Sequence, residues 1–124
     1  MLIVMPEQWR RALLRAALRE VGYDAIGARG IAEAQLIRAV VPDRGTVRVI
    51  IVDQAALGTG GLSRFAALRE RHENPRTILL ARATVDAPKG PWDRVLRRPV
   101  SIEQIVAAVR SLVPLPQRAR APID

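Results

Sequence analysis

The chain of 124 residues contains no cysteine, which excludes both a disulfide framework and a thiolate metal site. Aromatic residues are equally scarce. Trp9, Tyr23, Phe65 and Trp92 are the whole set, so the core has to be built from Leu, Ile, Val and Ala, the mixture expected where helices pack on a sheet. The single histidine, His72, removes any multi-histidine metal centre, and its place between Arg71 and Glu73 reads as a solvated residue at a helix end. No apolar run approaches the ~18–20 residues needed to cross a bilayer. The N-terminal MLIVMPEQWRR sets its apolar residues before its arginines, the reverse of a secretory signal, so a cytoplasmic location with no membrane partner is expected. What remains, 49% hydrophobic and 26% charged, suits one soluble domain with a single core rather than a multidomain enzyme.

The charge is unbalanced. Twenty basic residues face twelve acidic ones, for a net charge of +8, and every basic residue except Lys89 is arginine. Residues 1–62 carry 8 basic and 6 acidic groups, and residues 63–124 carry 12 and 6, so most of the excess is C-terminal. Such a balance points to nucleic acid or to an acidic protein partner. Because the arginines are dispersed and no nucleic-acid motif accompanies them, a solvated basic surface is the simpler reading and a basic nucleic-acid-binding module the alternative.

Apolar periodicity divides the chain into alternating strands and helices. Leu2 to Val4 is a short apolar run closed by Met5 and Pro6, a buried strand. From Glu7 the period becomes helical, with Leu13, Leu14, Ala17, Leu18 and Val21 on one face and Gly22 as the stop; Gln8, Arg11, Arg15 and Arg19 line the opposite, solvated face. Tyr23 to Ala28 reads as a second strand with Ala25 and Ile26 inward. A helix follows through Ile31, Ala34, Leu36, Ile37 and Val40 up to Pro42. Val47 to Val52 is apolar almost throughout, as in a central parallel strand covered on both faces, and Asp53 stands at its C-terminal end. A glycine-rich turn at Leu57 to Gly61 precedes a helix bearing Leu62, Phe65, Ala66 and Leu68. Thr77 to Leu80 is a further buried strand. Pro88, Gly90 and Pro91 argue against a long helix within residues 82–93. Val95 and Leu96 form a last strand, and Ser101 with Gln104 makes a capping box for a helix carrying Ile102, Ile105, Val106, Val109 and Leu112. The domain therefore spans residues 1–113, and residues 114–124 read as a disordered Pro/Arg tail.

The order is that of a doubly wound, flavodoxin-like three-layer α/β sandwich with a five-stranded parallel sheet, strand order 2-1-3-4-5, and a fourth helix shortened or irregular. Ligands of such sheets sit at the C-terminal strand ends, here near Met5, Pro6, Asp53, Ala81, Arg82 and Arg98. Gly58, Gly60 and Gly61 follow a strand but match neither GxGxxG nor a P-loop, and are turn glycines. Trp9 and Trp92 are expected to pack over the sheet edges, with a role as surface anchors the alternative.

The stretches LIVMPEQWRRALLRAALREVGY, VIIVDQAALGTGGL and RRPVSIEQIVAAV resemble the receiver domain of bacterial response regulators over about residues 2–113. The resemblance implies Asp53 as the phosphoacceptor candidate and Gly61 as the glycine of the following loop. It also implies degenerate positions. The acidic pair that holds Mg²⁺ in the family falls on Met5 and Pro6, with Glu7 next along. The phosphoryl-sensing Thr/Ser falls on Ala81, the aromatic switch on Val95, and the Lys of Lys-Pro on Arg98 before Pro99. The segment from Ala81 to Arg98 is about five residues shorter than is usual in the family.

These losses act together, because phosphoryl transfer to a carboxylate needs a metal and a cation to neutralise the transferring oxygens. The expectation is a pseudo-receiver: an interaction module with impaired Mg²⁺-dependent phosphorylation, no catalytic residues, no cofactor, and Mg²⁺ binding weak or absent. A partner, whether a histidine kinase, an output domain or a second copy, is expected at Lys89, Trp92, Arg94 and Arg97. A guanidinium from Arg98 or Arg82 is a candidate to pair with Asp53 and fix one state. The rival within the family is a conventional receiver phosphorylated on Asp53 by a histidine kinase, with Glu7 replacing the missing acids.

Overall fold

The computed structural model describes residues 1–37, 40, 41 and 45–115. In chain order the elements are β1 (Leu2–Val4), α1 (Gln8–Val21), β2 (Ile26–Ala28), α2 (Ile31–Ala34), β3 (Val40–Val41), β4 (Gly45–Thr46), β5 (Val49–Asp53), a single 3-10 turn (Gln54–Ala56), α3 (Gly61–Arg71), β6 (Arg76–Ala81), β7 (Arg94–Arg97) and α4 (Ile102–Leu112). Five strands form one parallel sheet in the order β2-β1-β5-β6-β7. Among the parallel strands this is the expected 2-1-3-4-5; it differs in detail through the small antiparallel pair β3-β4, whose first residue, Val40, the apolar spacing places in a helix.

Both faces of the sheet are covered, as the near-continuous apolar strands require. On one face Ile50 and Val52 of β5 and Leu79 and Ala81 of β6 pack with Ile31, Phe65 and Leu68 from α2 and α3. On the other, Val49, Ile51, Ile78 and Leu80 meet Leu14 and Leu18 of α1 and Ile105 and Val109 of α4. The capping box forms: Gln104 N–H donates to Ser101 Oγ at 3.1 Å and Ser101 N–H to Gln104 Oε1 at 2.8 Å. The first helix stops at Gly22, whose φ of 114° suits glycine and whose N–H donates to Leu18 and Arg19 carbonyls.

Several expectations are corrected. Leu13 is not in the core; only Leu14 and Leu18 of α1 are fully buried, and Leu13 is half exposed. Arg11 and Arg15 are not merely solvated. They fold over β2, Arg11 donating to Met5 O just past β1 at 2.7 Å and Arg15 to Ala25 O just before β2 at 2.9 Å. Gly27 makes room for this, since a Cβ there would lie 3.0 Å from Arg11 Cδ. The helix expected to run to Val40 ends at Ala34, leaving Leu36 exposed, because the chain turns back into β3. Of the two forms expected for the fourth helix, shortened or irregular, the segment takes the irregular one, with no helical turn in residues 82–93. At the C-terminus Leu115 packs against the core beside the Tyr23 hydroxyl, which donates to Val113 O at 2.7 Å, so order extends past residue 113; residues 116–124 lie outside the described part.

His72 also departs from expectation. It is buried, with both ring nitrogens unpartnered among the described residues, and the next two residues, Glu73 and Asn74, take left-handed backbone (φ 62° and 55°) that turns the chain from α3 into β6. Burial, aided by the charges of Arg71 and the N-terminus, pulls its pKa below the ordinary value. The unfolded chain therefore binds a proton more readily than the folded one, and stability is complete above about pH 6.5 and lost as pH falls from there toward the folded value. Thermal melts should show the wild-type midpoint falling between about pH 7.5 and 5.5, with a shallower fall in His72→Leu. Equal slopes in the two proteins would show that His72 does not titrate in this way.

Candidate functional site

The site is built at the C-terminal end of the sheet by four chain crossings. Asp53 ends β5, paired in register with Leu80 of β6, while Met5 and Pro6 follow β1, Ala81 ends β6 and Arg98 follows β7. Asp53 is held there by its own strand, which is buried throughout, so its carboxylate cannot swing out to water. Its two oxygens have separate duties. Oδ1 caps the 3-10 turn by accepting Ala55 N–H at 3.0 Å, and Oδ2 accepts Arg98 Nη2 in an ion pair. Arg98 is itself fixed through its backbone N–H, which donates to Ala81 O at 3.0 Å, just before the cis Arg98–Pro99 peptide.

Electrostatically this is a buried carboxylate among cations. Burial raises the Asp53 carboxyl above its ordinary value, against the Ala55 N–H and the charges of Arg10 and Arg82, which lower it. Of the two candidates to pair with Asp53, Arg98 makes the contact. Arg82 contributes charge alone, its backbone N–H being engaged by Gln54 Oε1 at 2.8 Å.

The positions that the resemblance marks as degenerate fall around this edge of the sheet. Met5 is buried and apolar, Pro6 is exposed, and Ala81 is fully buried with no group to offer a phosphoryl oxygen. Val95 is 42% exposed on β7. Glu7 does not stand in for the missing acids: its carboxylate is the N-cap of α1, accepting Trp9 N–H at 3.2 Å and Arg10 N–H at 2.7 Å. Among the described residues no group of three or more His, Asp or Glu side chains could hold a metal ion. Mg²⁺ demands several oxygen ligands in near-octahedral array, so this donor set does not fit it.

Residues 82–93 cross beside the site as a strap. Trp92 packs on Phe65, ring centroids 5.1 Å apart, and its indole N–H donates to Pro88 O at 2.7 Å. It is thus a core contact rather than a free anchor. Arg97 donates to Arg82 O at 3.0 Å and Val85 O at 2.9 Å, which spends its guanidinium inside the strap. Thr77 and Arg76 bind Asp93 and tie the far end to β6. Burial would raise the Asp93 carboxyl, but these partners hold it below its ordinary value. Lys89 is exposed on the strap, and Arg94, exposed on the other face of β7, donates to Asp93 O at 3.2 Å and to Ser111 Oγ at 3.5 Å. Gln54, which grips the strap through Arg82 N–H and donates to Asp86 O at 3.5 Å, was missed by sequence reasoning, and no spacing or composition signal marks it.

No family model matches the sequence, and no curated protein matches it. Solved structures do. A response regulator from Thermotoga maritima superposes with a TM-score of 0.71 at 18% identity, over 92% of this chain and 96% of that one. The response regulator TrrA from the same organism, determined in complex with Mg²⁺-BeF, gives 0.67 at 24% identity, over 90% and 96%. NtrX from Brucella abortus, in complex with ADP, gives 0.67 at 19% identity, over 90% of this chain but 25% of the longer protein. The chain has the fold of response regulator receiver domains across most of its length.

Truncating a buried pair leaves the partner charge uncompensated. Arg98→Ala is expected to destabilise the protein at neutral pH by about 2 kcal/mol, less than for a fully buried pair because Arg98 is 26% exposed. The loss should shrink at acidic pH, where Asp53, its carboxyl raised by burial, takes up a proton. Chemical denaturation at neutral and acidic pH measures this, and a loss independent of pH would show that the pair does not carry it.

Proposed function

We propose that this chain is a divergent receiver domain of two-component signalling, a pseudo-receiver that works in the bacterial cytoplasm as a protein-interaction module and not as an enzyme. The observation that carries the reading is the engagement of both Asp53 oxygens: one caps a turn, the other is paired with Arg98, and among the described residues no group of three or more His, Asp or Glu side chains could hold a metal ion. Phosphoryl transfer to Asp53 would bring negative charge onto a carboxylate whose neighbours offer arginine but no metal ligands. The Thermotoga TrrA structure holds Mg²⁺ and BeF. In this chain the positions that resemble the family's metal ligands are Met5 and Pro6, so Mg²⁺ binding is weak or absent and no cofactor is used.

Signalling then rests on surface. The face formed by β7 and the strap offers exposed Val85 and Val95 with Lys89 in the same strap, which suits an apolar, acidic surface on a kinase or output domain, while Arg94 lies on the other face of β7 toward Ser111 of α4. Nucleic acid is less well served, since Arg11, Arg15 and Arg97 spend donors on backbone carbonyls.

Intact mass measurement after incubation with Mg²⁺ and a small acyl phosphodonor tests the reading. The protein is expected to emerge unmodified, and the Met5→Asp/Pro6→Asp/Ala81→Thr variant to gain one phosphoryl group. A stable phosphoryl group on Asp53 of the unaltered chain would overturn it and restore the conventional receiver.

A further inference from the structure

The least explained surface lies on the opposite side of the domain from the strap. Trp9 is 75% exposed and Leu13, one turn on, is 52% exposed, with no side-chain partner for the indole N–H among the described residues. Trp9, Leu13, Ala16, Ala17 and Glu20 recur at helical spacing and fall on one stripe of α1. The stripe is graded by size: bulky residues at its N-terminal end, small ones at its C-terminal end. Beside the small end, α1 and α4 enclose a groove of about 330 Å³ lined by Ala17, Val21, Ile102 and Val106, with Glu20 and Arg110 at its rim.

We infer that this stripe is a two-fold interface with a second copy of the chain, in which α1 packs antiparallel to α1 of the partner about Leu13. A two-fold axis at Leu13 sets each residue opposite the one whose number completes 26, so Trp9 faces the partner copy's Ala17 and enters the groove beside it. Large thus meets small at both ends, as self-complementary packing requires. Charge agrees with size: Arg10 of one copy comes to the small end of the other, one turn from Glu20. A single helix face with one groove buries too little for an obligate dimer, so association is modest and concentration-dependent. The proposal goes beyond the pseudo-receiver reading and needs no chemistry at Asp53, though Arg10, whose charge also acts on Asp53, lies at its edge.

Sedimentation velocity of the full chain over about 1 μM to 1 mM tests it. The wild type should pass from monomer to dimer. Trp9→Ala should raise the dimer Kd on the order of thirtyfold, as loss of a central aromatic anchor does, with far-UV circular dichroism unchanged because Trp9 is exposed. Arg10→Glu and Glu20→Arg should each weaken the dimer, and the double exchange should restore it. A chain monomeric throughout the range, a dimer indifferent to Trp9→Ala, or single charge reversals that the double exchange does not rescue would overturn the inference. A Trp9-dependent complex formed only with a foreign helical partner would likewise overturn it, by giving the groove another occupant.

Discussion

A carboxylate at the end of a strand buried on both faces has no water to turn to, and its cost must be met from within the fold. Asp53 meets it by dividing its oxygens between the turn that follows it and the arginine that follows β7. This draws together the ends of two strands separated by β6, and places Arg98 where its backbone closes on Ala81. The pair is not a free gain. Burial still raises the Asp53 carboxyl above its ordinary value, so Arg98 offsets a penalty rather than adding a surplus. Its structural importance is that a carboxylate so engaged holds one arrangement of the sheet's C-terminal edge.

The strap depends on the same edge. With no helix in residues 82–93, the α2/α3 face of the sheet near β7 needs another cover, and Trp92 supplies part of it by lying on Phe65. The strap has no regular backbone pairing, so its carbonyls take donors from side chains: Arg97 serves residues 82 and 85, Trp92 serves Pro88, and Gln54 serves Asp86. Gln54 is the residue after Asp53, so the turn that Asp53 caps is also the turn that grips the strap. Carboxylate, turn and strap therefore form one connected polar assembly, and the uncovered Val95 marks where the assembly stops short of a helix.

Much of this was legible in the sequence wherever one physical requirement dominated. The apolar run of β5 has a single solution, burial on both faces, and the capping box at Ser101 and Gln104 forms as its spacing implies. The Asp53–Arg98 contact was legible as one of two candidate pairs, because a buried acid needs a counter-charge and two arginines were near in topology. Reading failed where two requirements competed. Leu36, Ile37 and Val40 have helical spacing, yet Val40 and Val41 pair as a short strand with Gly45 and Thr46, a nonlocal choice that periodicity does not record. His72 was misplaced because its charged neighbours suggested solvent, whereas it falls one turn after Leu68 and two after Phe65, on the face of α3 that packs on the sheet.

The arginines show why net charge alone is a poor guide to partners. A guanidinium has five donors on a long apolar stem, so it serves equally as a solvated charge or as an internal bracket. Here Arg11 and Arg15 bracket the β2 edge, Arg97 the strap and Arg98 the buried acid. Each still counts toward +8, but one nitrogen of each guanidinium is engaged within the fold, which fixes where its remaining donors can point. The surfaces left for recognition are the places where apolar side chains emerge among uncommitted charges. Val85 and Val95 do so with Lys89 in the same strap on one side, and Trp9 and Leu13 do so beside the α1–α4 groove on the other. Apolar area excluded from water, with charge setting the orientation, is the physical basis of a protein–protein contact, and this molecule presents it twice.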